Sequence, residues 1–96
     1  MSRNGSELII TVSGRLDAIS SHDLEDRLDT LLEGIESLIF DFTELEYISS
    51  AGLRVLMTSM QILEGVGSVT VRGANADIME VFEFTGFIDD LNIEKV

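Results

Sequence analysis

The chain has no cysteine, no proline and no tryptophan among its 96 residues, and only one tyrosine. Without cysteine there can be no disulfide, no thiol nucleophile and no cysteine-ligated zinc, a composition that fits a reducing compartment, with cytoplasm as the default expectation. Basic residues are scarce: six Lys and Arg stand against eighteen Asp and Glu, a formal net charge of -12 spread along the whole sequence. Nucleic acid and anionic lipid surfaces repel such a chain, so no nucleic-acid partner is expected. The charge either steers the protein to a basic protein partner or keeps a small domain in solution. No apolar run reaches the length of a membrane span, and Met1–Gly5 lacks the apolar stretch of a signal peptide, so neither membrane insertion nor secretion by that route is expected. Glycine-rich phosphate loops, a nucleophile–base pair and a metal-ligand set are also missing. His22 stands alone and reads as a solvent-facing residue of a first helical turn, and Met57, Met60 and Met79 read as core filling. The expectation is a protein that is not an enzyme and carries no cofactor.

What is present is strong periodicity, enough for one domain over residues 1–96 with only residues 1–5 loose. Leu8–Val12 alternates as a strand closed by Ser13-Gly14. A helix follows over Ala18–Leu32, opening on Ser20 and Ser21; Leu24, Leu28, Leu31 and Leu32 make its inner stripe while Glu25, Asp26, Arg27 and Asp29 face water. Ser37–Phe42 is an almost continuously apolar strand, of the kind covered on both faces. Thr43–Ile48 reads as a short connection, Ser50–Glu64 as a second helix stopped by Gly65 and Gly67, and Ser68–Arg72 as a third strand. Asn75 caps a third helix over Ala76–Thr85, and Phe87, Ile88, Leu91 and Ile93 form a final short strand or docked tail. Strands alternating with helices argue for an α/β layer with right-handed crossovers, and periodicity alone favours a fully parallel sheet.

The stretch Tyr47-Ile48-Ser49-Ser50-Ala51-Gly52-Leu53-Arg54-Val55-Leu56-Met57 delivers a serine from a strand–turn unit to the first turn of an apolar helix. Helix N-termini carry unpaired N–H groups and about half a positive charge, so a phosphate added to that hydroxyl is well accommodated. Ser50 is thus a candidate switch. The same two serines also suit plain helix capping, while Ala51 and Gly52 permit close packing. Along this helix Leu53, Leu56, Met57, Met60 and Leu63 form a broad stripe expected to face the sheet. Ala51, Val55, Thr58 and Ile62 form a second, nearly opposite, about 16 Å long. That second strip either packs against a neighbouring helix or docks a partner beside Ser50.

Three separately placed motifs resemble one family. Ser13-Gly14-Arg15-Leu16-Asp17-Ala18, Phe40-Asp41-Phe42 followed by Ser49-Ser50-Ala51-Gly52-Leu53, and Val81-Phe82-Glu83-Phe84-Thr85-Gly86-Phe87 stand in the order found in STAS domains, specifically those of bacterial anti-sigma factor antagonists. The resemblance covers nearly the whole chain. It implies a single STAS domain, α/β, with a central mixed sheet and helices mainly on one side. It further implies a phosphorylatable serine, Ser50 by alignment on Gly52-Leu53, with Ser49 as the alternative, in an environment of Asp17, Asp41, Ser49, Ala51 and Gly52. Asp17 and Asp41 are either turn-forming carboxylates or groups that help present the serine. Two departures stand out: Ser49 occupies the family's usual Asp position, and Ala51 replaces its second hydroxyl residue.

The resemblance also supplies partners. In such antagonists the unmodified protein binds an anti-sigma factor that is itself a serine kinase of the histidine-kinase-like ATPase class. Phosphorylation releases it, and a PP2C-type serine phosphatase restores the unmodified form. The partner-binding residues implied here are Ser50, Ala51, Arg54, Val55, Thr58 and Ile62. Two alternatives keep the fold without that switch: a scaffold subunit of a transport or stress-sensing complex that is not phosphorylated, and a small-ligand sensor.

Overall fold

A computed structural model of the chain describes residues 1–94; the last two positions of the domain expected over 1–96 lie outside the described residues. The elements run β1 (Ser2–Asn4), β2 (Glu7–Thr11), β3 (Gly14–Leu16), α1 (Ala18–Leu31), β4 (Ser37–Asp41), β5 (Leu45–Ile48), α2 (Ser50–Ile62), β6 (Ser68–Arg72), α3 (Ala76–Thr85), α4 (Phe87–Asp90) and β7 (Asn92–Glu94). Residues 1–5, expected to be loose, instead supply β1, which pairs antiparallel with β2 through Ser2–Ile9, Arg3–Leu8 and Asn4–Glu7.

The main sheet has the order β1-β2-β4-β6-β7, with every pair after the first parallel. The sheet is therefore mixed, as the family resemblance implied, and β1 is the strand that makes it so. From β2 to β7 the chain steps across the sheet in one direction, so right-handed crossovers carry their helices to the same face. Side-chain alternation agrees: Leu8, Ile10, Leu38, Phe40, Val69 and Val71 are buried on the helix side, while on the other side only Ile39 of the central strand is buried and its neighbours Ile9 and Thr70 are half-covered. The Phe40 and Phe42 rings meet at a tilt of 39°, with centroids 5.7 Å apart. Together with Phe82 they are fully buried, each stabilising the fold by roughly 1.5–3 kcal/mol.

A second, two-stranded sheet pairs β3 with β5 in parallel, matching Leu16 to Ile48. Neither strand was expected, because three and four residues carry too little alternation to announce themselves. They matter most for function, since each leads directly into a helix: β3 into α1 and β5 into α2. At the other end of the chain the expected short strand is β7, but the single turn of α4 precedes it, entered through Gly86 in the left-handed conformation at φ 85°.

Candidate functional site

Two adjacent serines divide their roles at the start of α2. Ser49 is the N-cap: its Oγ accepts from the Gly52 N–H at 3.3 Å and donates to the Leu16 carbonyl at 3.1 Å. Its own N–H reaches the same carbonyl at 3.0 Å. The residue standing where the family has aspartate is thus half-buried and fully employed in holding α2 to the end of β3. Ser50, the first residue of α2, is exposed, and its hydroxyl has no hydrogen-bond partner among the described residues.

Gly52 makes this arrangement possible. A Cβ at that position would stand 2.6 Å from Ile48 Cγ1 and 2.9 Å from the Leu16 carbonyl oxygen, closer than carbon tolerates. Only a bare α-carbon lets the first turn of α2 lie against both strands of the small sheet. Ala51 beside it is half-buried.

The two aspartates belong to different neighbourhoods. Asp17 follows Leu16, so the β3–β5 pairing places it alongside Ser49, yet its carboxylate caps α1. Oδ1 accepts from the N–H groups of Ile19 and Ser20, each at 3.1 Å, and the Ser20 hydroxyl closes the capping box. The helix starts at Ala18, as expected, but its cap is Asp17 and not the Ser20-Ser21 pair. Asp41 ends β4 and accepts from the Thr43 hydroxyl at 2.6 Å and N–H at 3.0 Å. Among the described residues Asp17 is spent on capping α1 and Asp41 on the turn at Thr43, and neither carboxylate is hydrogen-bonded to Ser49 or Ser50. These bonds also keep both carboxyls below the ordinary aspartate pKa: the Ser20 N–H is the main cause at Asp17, the Thr43 hydroxyl at Asp41.

Of the two readings of the second strip, its Val55 part follows the first and packs against a neighbouring helix, α1, so Val55 is removed from the expected partner-binding residues. Val55 is fully buried, as are Gly52, Leu56 and Ser59, while Met57, assigned to the sheet-facing stripe, is exposed. The inward direction of α2 lies between the two predicted stripes because the helix is covered on two sides, by the sheets and by α1. Ala51, Thr58 and Ile62 are half-buried and Arg54 is exposed, so the open part of the strip is its Ser50–Arg54 edge.

Glu25, read as facing water, instead joins the helices. Its Oε2 accepts from Arg54 Nε at 3.2 Å and from the Thr58 hydroxyl at 3.3 Å. Helical spacing could have found it, because Glu25 precedes Leu28 and Leu32 by three and seven positions and so borders the inner stripe, unlike Asp26 and Asp29. Two large apolar side chains nearby are exposed, Ile19 on the first turn of α1 and Tyr47 on β5, and the Arg15 guanidinium lies over one face of the Tyr47 ring, 4.2 Å from its centroid. His22 is exposed as expected, with Nε2 3.3 Å from Asp26. A cleft lined by Thr43, Gly73, Ala74, Ala76, Met79 and Ile93 includes neither serine. No helix of the described residues is long and apolar enough to cross a membrane.

The STAS domain model matches residues 1–96. This chain belongs to the STAS domain family. Among its relatives, BtrV of Bordetella bronchiseptica, whose naming as an anti-sigma factor antagonist is itself provisional, is 32% identical over 83 residues, which cover 84% of this chain and 72% of BtrV. That kinship is to the anti-sigma factor antagonist type. Solved structures share the fold at lower identity. The unphosphorylated anti-sigma factor antagonist SpoIIAA superposes with a TM-score of 0.81 at 18% identity, covering all of this chain and 86% of SpoIIAA. The phosphorylated Bacillus SpoIIAA gives 0.80 at 19%, over all of this chain and 87% of that one. A sulfate transporter family protein from Wolinella succinogenes gives 0.82 at 16%, with coverage of 100% and 83%.

Proposed function

We propose that this STAS domain is an anti-sigma factor antagonist acting by partner switching, with Ser50 as the switch. In its unmodified form it binds an anti-sigma factor that doubles as a histidine-kinase-like serine kinase; phosphorylation of Ser50 releases the pair, and a PP2C-type phosphatase resets it. The observation that carries the reading is the division between the serines. Ser49 is committed to capping and to Leu16, while Ser50 offers an unbonded, exposed hydroxyl on the first turn of α2. Replacing the family's aspartate by Ser49 therefore preserves the cap and leaves one hydroxyl open for modification. That SpoIIAA is known in both unphosphorylated and phosphorylated forms supports a fold able to accept the group.

Phosphate adds about 1.5 to 2 negative charges. Within the domain, the first turn of α2 favours that charge by ~0.3–1 kcal/mol, and the exposed position leaves the remainder solvated. A partner packed on the same turn would have to desolvate the dianion, at several kcal/mol if it were left unpaired. Release by local repulsion follows without unfolding. The surface available to the partner is Ser50 and Arg54 with the half-buried Ala51, Thr58 and Ile62, extended by the exposed Ile19.

Calorimetry with the cognate kinase tests this. The unmodified chain and Ser50→Ala should bind alike, and protein carrying phosphoserine at position 50 should bind at least about tenfold more weakly, equivalent to about 1.4 kcal/mol. Equal affinity for the modified protein would refute the switch. A second reading, a scaffold in a transport assembly, draws on the likeness to the Wolinella protein. It predicts binding without any dependence on Ser50.

A further inference from the structure

We propose that Arg54 is the internal counterion of phosphoserine 50, and that taking up this role makes it leave Glu25. The inference rests on Ser50 being the modified residue. Ser50 and Arg54 are four residues apart on α2, hence neighbours on one helical face, with Cβ atoms about 5–6 Å apart. Arg54 is the one basic residue of that helix, and its side chain is 59% exposed, free to swing toward the N-terminus.

In the unmodified protein a single carboxylate oxygen, Glu25 Oε2, holds both Arg54 Nε and the Thr58 hydroxyl. This contact is charge-assisted but one-pronged, and half in water. A phosphate monoester offers three acceptor oxygens and up to twice the charge, and matches the guanidinium fork in two parallel hydrogen bonds. Arg54 could instead bridge the two acids, but that would leave a dianion and a carboxylate sharing one cation. The favoured arrangement turns Arg54 to the phosphate and leaves Glu25 with Thr58 alone.

The exchange has two consequences. Part of the phosphate charge is neutralised within the domain, which lets α2 keep its first turn. The charged link from α1 to α2 is lost, and the Glu25 carboxylate is added to the acidic face already carrying Asp26 and Asp29. Modification thus alters the partner-facing edge at Arg54 as well as at Ser50.

The test uses protein with phosphoserine installed at position 50 during synthesis, so that it does not depend on any kinase accepting the chain. The Arg54 Nε–Hε resonance is followed by NMR in unmodified and phosphoserine protein, each with and without Glu25→Gln. The expected result is that Glu25→Gln shifts this resonance in the unmodified chain and leaves it unmoved in the phosphoserine chain. Ser50 is exposed at the start of α2 and Glu25 half-buried between α1 and α2, and the backbone spectrum reports whether each variant is folded. A resonance that still responds to Glu25→Gln after modification, or that phosphoserine does not move, would overturn the exchange. Failure of a kinase to modify Ser50 would count against the switch and leave this result intact.

Discussion

The carbonyl of Leu16 receives two hydrogen bonds from Ser49, one from its N–H at 3.0 Å and one from its hydroxyl at 3.1 Å. Through that one acceptor the end of β3 fixes the start of α2, and with it the direction in which Ser50 points. Ser49→Ala removes the hydroxyl half of this bond and the cap on Gly52, and is expected to cost about 1 kcal/mol. Ser50→Ala should change stability by no more than about 0.5 kcal/mol, since its hydroxyl bonds nothing. Urea unfolding of the two variants separates the structural serine from the functional one. The reverse order of effects would mean that their roles are exchanged.

Gly52→Ala sets two opposing terms against each other. Alanine should favour the helix by up to about 1 kcal/mol, but its Cβ meets Ile48 and the Leu16 carbonyl, and overpacking of that kind typically costs about 1–3 kcal/mol. With the backbone of β3 on one side, the contact should prevail and the variant should be less stable. A stabilised variant in denaturant titration would show that the small sheet yields easily.

Acid sensitivity should trace to Asp17 and Asp41. Both carboxyls are held below their ordinary pKa by hydrogen bonds from Ser20 and Thr43, so each favours the folded state when ionised. That contribution is complete above the unfolded aspartate value near about 3.9 and is lost as the pH falls through the lower folded values. Urea midpoints measured downward from about pH 6 should therefore fall less steeply in Asp17→Asn and Asp41→Asn than in the parent on the acid side. Unchanged slopes in both would contradict these hydrogen bonds.

Val55→Asp would place an unpaired charge in a fully buried position and should destabilise the chain by about 3–5 kcal/mol, so it cannot report on binding. Ile19→Ser is the better probe of the surface. At 80% exposure Ile19 contributes little to the core, and stability should stay within about 0.5 kcal/mol while affinity for the kinase falls. Unaltered affinity in a folded variant would remove α1 from the interface.

The long elements were legible because their apolar residues repeat over several turns or alternate along whole strands: Leu8–Ile10, Leu38–Phe40, Val69–Val71 and the Asn75 cap of α3 lie where the pattern put them. The family motifs supplied the mixed sheet, which the pattern alone would have made parallel. What stayed hidden has a physical reason in each case. β1 is polar and exposed throughout, so nothing in its composition marks pairing. β3 and β5 are too short for alternation to register. The inward side of α2 depends on α1, and a helix covered from two directions has no single stripe, so whether Val55 met a neighbouring helix or a partner stayed open, and Glu25 at the border of the α1 stripe was read as solvated. Ser50 was legible because its place follows from the strand–turn–helix order, whereas the separate employment of Ser49 required the Leu16 carbonyl, 33 residues away in sequence.

The central claim is tested most directly by the intact mass of the protein after incubation with its cognate kinase and ATP. The account predicts one phosphate on the native chain, retained in Ser49→Ala and absent in Ser50→Ala. Phosphate persisting in Ser50→Ala, or none on the native chain with a kinase shown to be active, would contradict it.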